Sequence, residues 1–120
     1  MIYNIDSGKI VLSQPYAKEF RIWRNRLSTS EFAAIIDKLN SMIDKDEIHT
    51  AGWMPGNNWN GSLFEPIYTK ACGLNEDESG LCFGLFVWHV FQQREDKWYS
   101  GKFEKDGVPI KSRTYFKKRD

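Results

Sequence analysis

The segment 76–93 constrains the fold of this chain more than any other, because it is apolar on nearly every side. Its sequence, EDESGLCFGLFVWHVFQQ, has large apolar residues where an amphipathic helix would carry polar ones. Asn75 and Glu78 form an N-terminal capping signal at its start. We therefore predict a central, buried helix over 76–93. A strand over 81–91 is the alternative, because Phe, Val and Trp favour sheets.

A second helix is predicted over 29–44. Ser28 and Glu31 form a capping box, in which each side chain bonds to the other residue's backbone. Apolar residues then recur at helical spacing from Phe32 to Ile43, with polar residues on the opposite side. In the buried helix, Gly80 and Gly84 lie four residues apart. They form a flat strip that another element can approach closely.

The two ends of the chain read as β-hairpins. Residues 2–13 place a glycine-containing turn between two short apolar runs. Residues 98–116 do the same around Asp106-Gly107, which is a strong signal for a type I′ turn. Pro109 indicates that the last strand begins at a sheet edge.

Three shorter elements complete the prediction. Residues 18–24 alternate between apolar and polar and predict a half-exposed strand, and residues 47–52 predict another. Residues 66–72 begin with proline and precede Gly73, which predicts a short helix. The whole is a single compact α+β domain over residues 1–120. It has an antiparallel sheet of about five strands, from the two terminal hairpins and the middle strands, with two to three helices packed on one face.

Length and charge exclude several classes of protein. The chain has 120 residues and a mass of 14.1 kDa, which fits one domain. Its net charge of +1 excludes a polybasic nucleic-acid binder or an acidic disordered tail as the default. The near-neutral balance is a cancellation between segments. The charged residues of 94–120 are mostly basic, and those of 31–47 are mostly acidic. Aromatic residues make up 15% of the chain. They supply apolar area in a chain that has few aliphatic residues for its size.

The two cysteines and the first residues of the chain predict the cellular compartment of the protein. Cys72 and Cys82 form no metal-binding pattern, and the first residues show no export signal. We expect reduced, buried thiols in a cytoplasmic protein, without a membrane span, a metal or a cofactor. The small size and the lack of motifs are typical of reading frames on bacterial mobile elements.

An uncharged stretch from Ile48 to Phe64 is the leading candidate site. So long a stretch without charge is unusual in a chain that is 28% charged. Its two Trp could form the walls of a pocket, its three Asn could supply hydrogen-bond donors and acceptors, and its three Gly could leave room for a ligand. We therefore predict a non-catalytic binding domain for a small neutral ligand or a protein partner. The predicted contacts are His49, Trp53, Asn57, Asn58, Trp59, Asn60 and Glu65. The alternative is a compact loop that packs its own rings on the core.

A second hypothesis is a single-stranded nucleic-acid module. If the 18–24 strand and the C-terminal hairpin share a sheet, its outer face is basic and aromatic. The residues involved would be Arg21, Trp23, Arg24, Lys102, Lys111, Arg113 and Tyr115. The alternative is a solvated sheet face. The segregated charges leave weak nucleic-acid binding open.

A third hypothesis is a small enzyme that uses His49, Glu65 and His89 for proton transfer. The sequence favours a non-enzyme, because it contains none of the common nucleophile, phosphate-loop or metalloprotease motifs. Cys82 lies in an apolar run, which would raise its pKa and so weaken it as a nucleophile. An exposed edge strand in either hairpin would also allow a homodimer.

Overall fold

The computed structural model describes residues 1–51, 54, 59, 61–102, 104–105, 108–109 and 113–119. The predicted α+β class is confirmed. In chain order the elements are β1 (Ile2–Asn4), β2 (Ile10–Val11), α1 (Ala17–Asn25), α2 (Thr29–Ile43), β3 (Ile48–Thr50), a π-helical segment (Ile67–Ala71), α3 (Glu76–Gln93), β4 (Trp98–Gly101), β5 (Glu104–Lys105), β6 (Val108–Pro109) and β7 (Thr114–Lys117).

The main sheet has five strands in the order β2-β1-β4-β7-β3, and β5 and β6 form a separate two-stranded ribbon. The predicted N-terminal hairpin is confirmed by the antiparallel pair β1–β2, and β4 pairs antiparallel with β7. The prediction of a wholly antiparallel sheet is wrong at one place, because β1 and β4 run parallel. The chain leaves β1, passes through the helices and returns in the same direction, as a parallel pair requires.

The two predicted long helices are confirmed. The side chain of Asn75 accepts a hydrogen bond from the backbone N–H of Glu78 at 3.0 Å and starts α3. The alternative strand over 81–91 is wrong. Ser28 and Glu31 bond reciprocally at the start of α2, at 2.9 and 3.1 Å, as the capping box predicts.

The predicted strand over 18–24 is wrong, because these residues lie in α1. The side chains of Phe20, Trp23 and Leu27 are buried, and their spacing of three and four residues is helical. Ile22, which the alternating pattern placed with Phe20, is 44% exposed. The Phe20 ring meets the edge of Phe86 on α3, with centroids 5.0 Å apart, so packing on α3 selects the helix.

The core lies where α3 meets the inner face of the sheet. Phe91 stacks on Tyr115 of β7, with centroids 4.0 Å apart and an angle of 13° between the rings. Its edge also meets Trp98 of β4 at 4.9 Å. Cys72 and Cys82 are free and buried, as predicted. No helix among the described residues has the length and apolarity needed to cross a membrane.

Candidate binding cleft

A cleft of about 570 Å³ opens between the first half of α3 and one end of the sheet. Ligand pockets commonly have volumes of about 300–1,000 Å³. Four parts of the chain meet here: α3, the residue after β3, the ends of β4 and β7, and the segment before α1. The described residues that line it are Pro15, Tyr16, Ala51, Asp77, Gly80, Leu81, Phe83, Gly84, Leu85, Trp88, Lys102, Arg113 and Tyr115.

The floor of the cleft is the glycine strip of α3. A Cβ atom added to Gly80 or Gly84 would meet no heavy atom within 4 Å, outside the backbone of the helix itself. The sequence predicted that another element could approach this strip closely. The structure instead leaves open space beside this strip, at the floor of the cleft.

Beside the floor, the indole ring of Trp88 on α3 meets the guanidinium group of Arg113. The Cζ atom of Arg113 lies 5.1 Å from the ring centroid of Trp88, within the range of a cation–π contact. Its Nη1 atom donates to Ser100 Oγ at 3.1 Å. The indole N–H of Trp88 donates to the backbone oxygen of Ser13 at 3.3 Å. Both side chains are therefore held in place before any ligand arrives.

Charge in the cleft is uneven. Two cations, Lys102 and Arg113, and one carboxylate, Asp77, are among its described lining residues. Asp77 lies in the first turn of α3, where the helix dipole already favours a negative charge. Tyr115 also lines the cleft, and burial raises the pKa of its hydroxyl, so the group stays neutral. An anionic ligand group would therefore meet the two cations at the sheet end.

The residues predicted for the uncharged loop have separate positions. Nε2 of His49 lies 3.0 Å from the Ile43 oxygen and 2.9 Å from the Asp46 oxygen, so it carries a hydrogen and caps the end of α2. The ring of Trp59 packs on Phe83, with centroids 5.6 Å apart. Glu65 accepts from the backbone N–H of Gly61 at 2.6 Å. The remaining four predictions, Trp53, Asn57, Asn58 and Asn60, lie outside the described residues.

These contacts give His49, Trp59 and Glu65 structural roles, while their predicted role in binding remains untested. The loop nevertheless borders the cleft. Ala51 belongs to this uncharged stretch and lines the cleft. The Phe83 side chain contacts Trp59 and also lines the cleft.

The residues predicted for a basic aromatic face do not share one face. Arg21, Trp23 and Arg24 lie on α1 because 18–24 is helical, and Trp23 is buried. Lys102, Arg113 and Tyr115 lie together at the cleft. Lys111 lies outside the described residues. The sequence did not identify the cleft as a site. The glycine strip lies in it, and the uncharged stretch indicated only its neighbourhood.

The residues predicted for proton transfer, His49, Glu65 and His89, also have separate surroundings. His89 lies on α3 beside the rings of Phe20 and Phe32, at 5.6 and 6.1 Å between centroids. It lines a separate, smaller cavity of about 240 Å³ together with Arg21 and Arg24.

Burial raises the pKa of both thiols, Cys72 and Cys82, so neither is activated as a nucleophile. Among the described residues, no group of three His, Cys, Asp or Glu side chains could hold a metal ion.

We expect His89 to make folding depend on pH. Burial lowers the pKa of His89 below the usual 6.5, and the charge of Arg24 lowers it further. The unfolded chain therefore binds this proton more tightly, so the free energy of unfolding falls as the pH drops below about 6.5. Urea denaturation between about pH 5 and pH 8 should show this slope, and His89→Gln should reduce it. An equal slope in both proteins would contradict the assignment.

Comparisons with protein-family models, with curated proteins and with solved structures found no match for this chain.

Proposed function

We propose that this chain is a non-catalytic ligand-binding domain whose cleft binds a planar ring carrying a negative charge. The observation that carries the proposal is the combination in one cleft of an open apolar floor and a guanidinium held against an indole. Apolar area gives a ring its affinity, and a few fixed polar groups orient it.

The shape of the cleft supports a flat ligand. The missing side chains of Gly80 and Gly84 leave a smooth floor, and the rings of Trp88 and Phe83 border the same space. A planar ring can pack against such a floor and meet an aromatic wall face or edge on.

The charges support an anion rather than a wholly neutral molecule. Among the described residues, Arg113 has no carboxylate within ion-pair distance, and its bond to Ser100 uses one of its five N–H groups. The remaining N–H groups suit a carboxylate, sulfonate or phosphate. The proposed ligand thus differs from the neutral one that the uncharged loop alone suggests.

A pair of fluorescent probes tests the proposal. Anilinonaphthalene sulfonate has fused rings and a negative charge, and N-phenylnaphthylamine has nearly the same rings without it. We expect the native protein to bind the sulfonate more tightly. Arg113→Gln should weaken sulfonate binding by roughly 10-fold, the effect of one exposed charged hydrogen bond, and leave the neutral probe nearly unaffected.

Gly84→Leu tests the location, because it fills the floor of the cleft. Replacing a helical glycine removes an unfavourable helix former, and the added Cβ has space, so the variant should fold. Both probes should then bind at least about 10-fold more weakly. Ala34→Leu adds similar bulk at an exposed position of α2 and serves as the control. Undiminished probe binding in folded Gly84→Leu would refute the cleft as the site.

The two free, buried thiols also support a location for the protein in the cell. Thiols persist in reducing environments, so we propose that the protein works in the cytoplasm. The proposal requires neither a membrane nor a second subunit.

A further inference from the structure

The smaller cavity, of about 240 Å³, lies between α1 and the second half of α3. From α1 it is lined by side chains that share one face of the helix, among them Phe20, Arg21 and Arg24. From α3 it is lined by a second helical stripe, which consists of His89, Gln92 and Gln93. We call this space the arginine cavity.

The two arginines of the cavity have no acidic partner. No carboxylate lines the cavity among the described residues. Within the same part of the chain, the side chains of Arg21 and Arg24 form no hydrogen bond and no ion pair. Cζ of Arg24 lies 4.4 Å from the ring centroid of Phe32, a contact that positions the guanidinium without using it as a hydrogen-bond donor. The N–H groups of both arginines are therefore available to a ligand.

The positive charges of the cavity act on one another. Arg21 and Arg24 are three residues apart on one helix, where like charges repel. Burial lowers the pKa of His89, and the charge of Arg24 lowers it further. Neither ring nitrogen of His89 has a hydrogen-bond partner among the described residues. An anion in the cavity would relieve this repulsion and accept hydrogen bonds from all three side chains.

We propose that the arginine cavity binds a phosphate group. Arg21 and Arg24 would bond to its oxygens from α1, and His89 would donate to it from α3. The amide nitrogen of Gln92 already bonds the Ser13 oxygen at 3.2 Å, so this side chain forms a fixed wall instead.

Charge and size favour phosphate over a carboxylate. A phosphate monoester carries a charge of about −1.5 to −2 at pH 7, which matches two permanent cations. A carboxylate carries one charge, and the fork of a single arginine satisfies both of its oxygens. Common ligand pockets have volumes of about 300–1,000 Å³, so this smaller space suits a phosphate group rather than a whole drug-sized ligand.

A bound phosphate would also change the protonation of His89. The charged groups that face the imidazole from α1 are Arg21 and Arg24, and both are positive. The rings packed against it, Phe20 and Phe32, carry no charge, and the cavity residues of α3 beside it are carboxamides. Negative charge next to the imidazole favours its protonated form, so phosphate should raise the pKa of His89. By linkage, protonation of His89 should strengthen anion binding by the same factor.

A nuclear magnetic resonance titration of the two histidines tests the proposal. The Cε1–H signal of His89 is identified by its absence in His89→Gln. Inorganic phosphate near pH 7 should shift this signal saturably, whereas sodium chloride at equal ionic strength should not. Sulfate, whose charge is constant between about pH 5 and pH 8, should raise the pKa of His89. His49 bonds backbone oxygens at the end of α2, so its signal is the internal reference and should move little.

A pair of variants on α1 tests the role of the arginines. Arg21→Gln should weaken phosphate binding by roughly 10-fold, the lower end of the range for one hydrogen bond to a charged group, because Arg21 is exposed. Lys18→Gln removes the same charge from an exposed position of α1 that does not line the cavity. This control should change the affinity less than about 2-fold. Circular dichroism checks that both variants keep the fold.

A second set of ligands identifies the source of the phosphate. Arg21 and Gln93 are exposed, so the cavity is open to solvent and can take a free ion or the end of a larger molecule. Methyl phosphate bound as tightly as inorganic phosphate would indicate a phosphate monoester, and weaker binding would indicate the free ion. Acetate should bind more weakly than either.

Four results would overturn the proposal. The first is a His89 signal that phosphate moves no more than chloride does. The second is equal affinity for acetate and phosphate, which would leave only a general attraction for anions. The third is an equal loss of affinity in Arg21→Gln and Lys18→Gln. The fourth is an unchanged pKa of His89 in saturating sulfate.

This inference is independent of the proposed cleft, which opens on the first half of α3. Gly84→Leu should therefore keep its affinity for phosphate, and Arg21→Gln should keep its affinity for the fluorescent probes. Failure of one assay leaves the other site to be judged by its own result.

Discussion

Phe91→Ala is expected to lower the free energy of unfolding by about 3–5 kcal/mol, the usual cost of removing a fully buried aromatic ring. The Phe91 side chain is 0% exposed and lies where α3 meets the sheet. It stacks on Tyr115 and meets Trp98 edge-on, so its loss leaves a cavity between the helix and two strands.

Guanidinium denaturation followed by circular dichroism measures this effect. Phe91→Leu is the first control, because it keeps most of the volume and should lose roughly 1–1.5 kcal/mol. Phe32→Ala is the second, since that ring is only partly buried and should cost less than Phe91. A loss below about 1 kcal/mol in Phe91→Ala would mean that α3 does not form the centre of the core.

The helices show how far local sequence determines this fold. The start of α3 was predictable because Asn75 supplies a capping side chain next to a long apolar run. The start of α1 was not, because Tyr16 occupies its N-cap in a left-handed conformation and makes no side-chain capping bond. The apolar spacing of α1 also fits a strand when Ile22 is counted as a core residue. Only the folded chain, in which Phe20 and Trp23 are both buried and Ile22 is exposed, decides between the two.

The sheet shows what local sequence leaves open. A short turn determines the pairing of β1 with β2, and the sequence predicts it. The parallel pair β1–β4 joins residues more than ninety positions apart, such as Ile2 and Trp98, and no local pattern encodes it. The alignment of Tyr3 with Tyr99 across the sheet depends on that long-range register. The predicted basic face joined Arg21 and Trp23 to the C-terminal strands, which fails because these residues lie on α1.

The candidate cleft was partly visible in the sequence. Gly80 and Gly84 indicated a flat strip on α3, but the partners across the space come from distant segments. Arg113 and Trp88 are 25 positions apart in the sequence and meet only in the folded chain. The uncharged loop was easier to notice, yet Trp59 packs on the core through Phe83. Unusual composition therefore indicated the neighbourhood of the cleft rather than its walls.

Arg94→Leu is the second substitution expected to have a large effect, a loss of about 2–3 kcal/mol near neutral pH. The guanidinium bonds both oxygens of Asp96 at 2.9 Å and also reaches Asn40 at 2.9 Å. A fourth bond, to Asp44 at 2.6 Å, adds little because that carboxylate is mostly exposed. The bonds to Asn40 and Asp44 join the end of α3 to α2, and those to Asp96 hold the segment that follows α3. Leucine can make none of them.

An exposed ion pair provides the matched control. Lys70 and Glu31 lie 2.7 Å apart, but the lysine side chain is 56% exposed, whereas that of Arg94 is 16% exposed. Lys70→Met should therefore cost only about 0–1 kcal/mol. Urea denaturation of the two variants and the parent protein at neutral pH makes the comparison. Equal losses in both variants would show that burial gives Arg94 no advantage.

The pH dependence separates the charge contribution of Arg94 from its packing. Hydrogen bonds from Arg94 lower the pKa of Asp96 below its ordinary 3.8, despite the opposing effect of burial. As the pH falls, the Asp96 carboxylate of the unfolded chain is therefore protonated before that of the folded chain. The stabilisation by Asp96 is complete above the pKa of the unfolded chain and is lost as the pH falls through the pKa of the folded chain. The difference in unfolding free energy between the parent protein and Arg94→Leu should shrink as the pH falls from about 5 to about 2. Glu31, whose pKa is also lowered, is present in both proteins and cancels. A constant difference over this range would assign the loss to Asn40 and packing rather than to Asp96.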